Sequence, residues 1–146
     1  MDTSETYIKM CEKAVEIQDY WLTEECSEAE SSEYGGLFWN KQTREVFITT
    51  EWDEWEHSIW LPRQDQLQEM VAIPKTASLP TVTQLILFYR FWEREDGAQG
   101  LPYFAYFTSM EQLWLAFVMK EKYNKIWNGD EWIDKRITKQ DSRGKT

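Results

Sequence analysis

Tyr7, Met10, Cys11, Ala14, Ile17 and Trp21 recur at three- and four-residue intervals, which is one face of an amphipathic helix. Thr3 or Ser4 supplies an N-cap and Glu5 an acid in the first turn, so the pattern predicts a helix reaching about Tyr20. Residues 23–33 carry almost no apolar side chain and five like charges, and read as a solvated loop. After Gly35-Gly36, Leu37-Phe38-Trp39 and Glu45–Thr50 flank a polar turn at Asn40–Arg44, the pattern of a β-hairpin. Ser58-Ile59-Trp60 reads as a short third strand.

Pro62 suits the first turn of a helix through Val71, with Leu67, Met70 and Val71 on one face, and Pro74 ends it. Thr81-Val82-Thr83-Gln84 reads as a capping box opening a helix whose residues Leu85 to Trp92 are apolar on nearly every side except at Arg90, the profile of a central helix. Tyr103–Phe107 reads as a buried strand, and Ser109-Met110-Glu111-Gln112 as the start of a further helix through about Tyr123. Asn128-Gly129 is a tight-turn signal between Trp127 and Trp132. The expected fold is a single α+β domain over residues 1–133, about four helices packed on a small, largely antiparallel sheet, with a polar, frayed tail at 134–146.

Composition narrows the functional classes. The 146 residues fall within the size of one domain, with 42% hydrophobic residues and nine Trp as core material. The N-terminus has no basic region followed by an apolar run, and no stretch has the length of a membrane span, so the expected location is cytoplasmic, with no membrane partner. In such a compartment Cys11 and Cys26 are expected as reduced thiols. Cys11 lies on the apolar helix face, whereas Cys26 sits among Glu24, Glu25 and Glu28, whose like charge disfavours a nucleophilic thiolate.

The net charge of -10 is lopsided. Residues 1–60 hold fifteen acids against Lys9, Lys13, Lys41 and Arg44, while residues 61–146 are close to balanced with eleven acids and twelve bases. The acidic half repels phosphates and attracts basic partners, which argues against direct nucleic-acid binding by the few bases of the tail.

The segment Trp60–Met70, together with Met110–Tyr123 and the Trp127–Trp132 turn, resembles a family of small uncharacterised proteins encoded by phages and prophages of Gram-positive bacteria. The resemblance covers about half the chain. It implies a phage context and brings no catalytic residue, cofactor or metal ligand with it.

No nucleophile elbow, phosphate loop, His-Glu-x-x-His or paired Cys-x-x-Cys is present, and no catalytic, cofactor-binding or metal-ligating residue is assigned. The segment best suited to a partner is Trp52, Asp53, Glu54, Trp55 and Glu56, in which two large aromatic side chains are interleaved with carboxylates that select a basic surface. The same rings folded back over the hairpin are the structural alternative. The expected function is non-enzymatic protein binding through this segment and the Glu24–Glu33 loop. Two alternatives stay open: an acidic DNA mimic that inhibits a host DNA-binding protein, and a metal-dependent hydrolase or nuclease using His57, the only histidine, with Glu54 and Glu56. Tyr103–Phe107 and Leu113–Met119 are apolar enough for a homo-oligomer interface, but their lengths suit a core strand and a core helix better.

Overall fold

Ser4 begins the first helix as its sequence position predicts: its Oγ accepts a hydrogen bond from the Tyr7 backbone N–H at 3.2 Å. The computed structural model describes residues 1–21, 36–49, 57–71, 80–94 and 102–135. These fall in two compact units, Met1–Arg63 and Gln64–Thr146.

In the first unit, α1 (Glu5–Lys13) and α2 (Val15–Tyr20) replace the one continuous helix expected to Tyr20. Ala14, with φ -85° and ψ 73°, leaves the helical region between them. Ala is the best helix former, so the break has no local cause in the sequence. It is sustained by side-chain bonds: the Cys11 carbonyl at the end of α1 accepts from the Gln18 amide at 3.1 Å as well as from the Ala14 N–H, and the same amide is held by the Trp60 backbone 42 positions on. The break keeps the apolar face aligned, and Tyr7, Met10, Cys11, Ala14, Ile17 and Trp21 are all buried.

The hairpin forms as expected. β1 (Gly36–Asn40) and β2 (Val46–Thr49) pair antiparallel with Leu37 opposite Ile48, and β3 (Ser58–Trp60) pairs antiparallel on the other side of β1, giving the order β2-β1-β3. Asn40 Oδ1 accepts from the N–H groups of Gln42 and Thr43 and so folds the turn. Trp21 packs edge-on against Phe38 at 5.3 Å and tilted against Trp60 at 4.9 Å, while the Tyr7 hydroxyl donates to the Pro62 carbonyl at 2.6 Å.

In the second unit, α3 (Gln64–Met70) buries Leu67 and Met70 as predicted, and α4 spans Pro80–Arg94. The capping box expected at Thr81 is not formed, because the helix already runs from Pro80, a residue suited to the first helical position. Gln84 instead donates its side-chain amide to the Gln68 carbonyl of α3 at 2.7 Å. Tyr103–Tyr106 is a 3-10 helix and not the expected strand. Its geometry buries Tyr103 and leaves Phe104 exposed, so Tyr103 can stack on Trp92 at 5.4 Å and meet Phe107 edge-on at 5.0 Å.

Ser109 caps α5 (Met110–Tyr123), where Trp114 to Met119 are all buried. Leu113–Met119 is therefore core, apart from half-buried Leu113. Gln112 reaches one residue further back than a standard capping box, accepting from the Thr108 N–H. Asn124 ends the helix in the left-handed region at φ 55°. β4 (Lys125–Trp127) and β5 (Trp132–Asp134) then pair with Trp127 opposite Trp132, their rings 5.1 Å apart. The Tyr103 hydroxyl accepts from the Trp127 N–H at 2.7 Å and ties this hairpin to the aromatic cluster.

The architecture is α+β with antiparallel sheets, as the pattern predicts. Five α-helices occur among the described residues instead of four, the extra one arising from the break at Ala14. No helix among those residues is long and apolar enough to cross a membrane.

Candidate functional site

The residues that the sequence favours for partner binding, Trp52, Asp53, Glu54, Trp55 and Glu56, lie outside the described residues, as do the Glu24–Glu33 loop and Cys26. His57 is described and exposed, and its carbonyl accepts from the Lys41 N–H at 2.9 Å where β3 begins. Among the described residues no three His, Cys, Asp or Glu side chains are grouped to hold a metal ion. The two carboxylates expected to join His57 are not among them.

Cys11 is a free, fully buried thiol. Burial pushes its pKa far above the ordinary thiol value, outweighing the lowering effect of a side-chain hydrogen bond with Tyr7. A thiol that stays protonated in an apolar setting is packing material and not a nucleophile.

The described residues present a different surface on α4. One face of this helix enters the aromatic core of its unit: Phe88 stacks on Trp114 with centroids 4.1 Å apart and planes 10° from parallel, and Phe91 and Trp92 are buried. On another face Val82, Leu85, Ile86 and Tyr89 stand 48%, 52%, 45% and 66% exposed. Their spacing is i, i+3, i+4 and i+7, which places them in one stripe. Leu87 is a further exposed apolar residue, and Arg90 and Glu93 supply exposed charges toward the end of the helix.

This corrects the expectation that α4 is central. The helix buried on nearly all sides is α5, whereas α4 buries one face and shows large apolar side chains on another. Its all-round apolar sequence is the signal for the stripe, but the pattern does not say which face the core takes.

Chemically the stripe offers no acid, base or nucleophile. It is an apolar strip of the kind that a groove or a second helix covers. No protein-family model, curated protein or solved structure matches this chain.

Proposed function

We propose that this chain is a cytoplasmic, phage-derived accessory protein that works without catalysis by docking to another protein. The observation that carries this reading is the exposed stripe of Val82, Leu85, Ile86 and Tyr89 on a helix whose neighbouring face is anchored by aromatic packing. Four large apolar side chains at helical spacing form a contact unit in helix-in-groove recognition, where such positions act as anchors.

The sequence supplies two further supports. The resemblance of Trp60–Met70 and Met110–Tyr123 to phage and prophage proteins gives the context, and the run Trp52, Asp53, Glu54, Trp55 and Glu56 gives, by composition alone, a preference for a partner with a basic rim.

The test is chemical crosslinking in lysate of the natural host, comparing the native chain with a Leu85→Ser/Ile86→Ser variant. The expected result is one stoichiometric adduct with the native chain, mapped to α4 and missing from the variant. Equal crosslinking by a folded variant would overturn the assignment of the stripe. An adduct mapping to residues 51–56 and lost on Asp53→Asn/Glu54→Gln/Glu56→Gln would move the contact to the acidic segment.

A further inference from the structure

The four bases found in the first 60 residues, against fifteen acids, are not scattered. Lys9, Lys13, Lys41 and Arg44 all line one cleft of about 800 Å³ in the first unit, with Lys9 and Lys13 on α1 and Lys41 and Arg44 on the turn between β1 and β2. Ile8, half-buried Trp39 and buried Ile59 supply apolar surface to the same cleft. Its acids are Glu5 and Glu12, so bases outnumber carboxylates in its lining although it lies in the most acidic part of the chain.

The walls of the cleft are tied together within the unit. Glu12 holds Lys41 in an ion pair at 3.3 Å, which links the helix to the turn across the cleft. A smaller recess of about 160 Å³ shares Glu12, Lys41 and Ile59 with the cleft and is also lined by Gln18 and Trp60. Trp60 is only 1% exposed, yet its indole N–H has no hydrogen-bond acceptor among the described residues. The indole N–H groups of Trp92 and Trp114 are in the same state, so this donor does not by itself mark a ligand.

Arg44 holds φ 60°, a left-handed conformation that favours Gly or Asn, where the turn needs only the backbone. Its guanidinium is the one planar, forked donor in the lining of the cleft.

From these features we propose that the cleft binds a small organic dianion, a dicarboxylate or a phosphate monoester, whose flat apolar body lies against Trp39 and whose charges meet Lys13, Lys41 and Arg44. The cleft has room to spare for such a ligand, and an apolar wall with a few placed cations is the usual composition of a small-molecule site. This site stands independently of the stripe on α4.

The experiment is isothermal titration of the full chain with phenyl phosphate, terephthalate and inorganic phosphate in turn, at about 50 mM and about 500 mM salt. Binding of phenyl phosphate alone identifies a phosphate-monoester site, and binding of terephthalate alone a dicarboxylate site; inorganic phosphate should bind more weakly than either because it lacks the flat body. The Lys13→Gln/Arg44→Gln variant, which leaves the Lys41–Glu12 pair intact, should weaken binding by about tenfold or more, while Arg90→Gln on α4 should leave it unchanged. No heat with either aromatic anion, or equal loss in both variants, would overturn the proposal.

Discussion

The Gln18 side-chain amide grips both polar groups of the Trp60 backbone: its Oε1 accepts from the Trp60 N–H at 2.8 Å and its Nε2 donates to the Trp60 carbonyl at 3.0 Å. β1 pairs along the other edge of β3, so Trp60 turns these groups toward the side of the strand that β1 does not cover. Gln18 acts there as a one-residue substitute for a neighbouring strand, closing an edge that would otherwise be open to pairing. The remaining hydrogen of Nε2 goes to the Cys11 carbonyl. One side chain thus secures both the helix break and the sheet edge.

Removing that side chain should be costly although it is polar and only part-buried. Gln18→Ala leaves three backbone groups without this partner, with an expected loss of about 1–3 kcal/mol in urea unfolding. Gln18→Glu is the sharper test: its carboxylate can still accept from Trp60 but cannot donate to the two carbonyls. It should be less stable than the native chain at neutral pH and recover part of the loss in mild acid, where the protonated carboxyl regains a donor. A Gln18→Glu variant as stable as the native chain at both values would contradict the clamp.

Two glycines should fail substitution for different reasons. A Cβ on Gly36 would lie 2.8 Å from the rings of both Phe38 and Trp21, so Gly36→Ala should cost about 1–3 kcal/mol by overpacking. Gly129 has open space around it but holds φ 105°, so Gly129→Ala costs backbone strain of about 1–2 kcal/mol with no clash. Thermal unfolding of the two variants, and of Trp21→Leu/Gly36→Ala, separates the causes, since relieving the ring contact should help only at Gly36.

Cys11 should leave a signature in alkali. Burial raises its folded-state pKa above the ordinary value of 9.0, so the unfolded chain gives up this proton first as pH rises. The contribution is complete below the unfolded value and is lost above it, with a slope approaching about 1.4 kcal/mol per pH unit. Urea midpoints measured from about pH 8 to about pH 10 should therefore fall more steeply for the native chain than for Cys11→Ala. Parallel curves would show that the thiol is not held protonated.

Much of this fold was legible because it rests on local periodicity. The face from Tyr7 to Trp21, the caps at Ser4 and Ser109, the hairpin at Asn40–Arg44 and the Trp127–Trp132 turn all follow from residues within one element or its neighbours. The helix break was not legible, because Gln18 and Trp60 are 42 positions apart and nothing at Ala14 announces it. Tyr103–Phe107 reads as a strand because a short continuous apolar run fits a buried strand as well as a short 3-10 helix, and contacts with Trp92 decide between them. The cleft bases were visible as a short list of exceptions to an acidic composition, but only the packing of α1 beside the hairpin turn gathers them.

The faces of α4 should respond oppositely to mutation. Trp114→Ala removes the ring on which Phe88 stacks and should cost about 3–5 kcal/mol. Leu85→Ser and Ile86→Ser change exposed side chains and should stay within about 0.5 kcal/mol of the native chain in the same urea titration.

Because those stripe variants keep the fold, crosslinking of the native chain and of Leu85→Ser/Ile86→Ser in host lysate isolates the role of the surface. A single stoichiometric adduct through α4 that disappears with the variant is the predicted result. The same adduct at the same yield with the folded variant, or no stoichiometric adduct with the native chain, would contradict docking through Val82, Leu85, Ile86 and Tyr89.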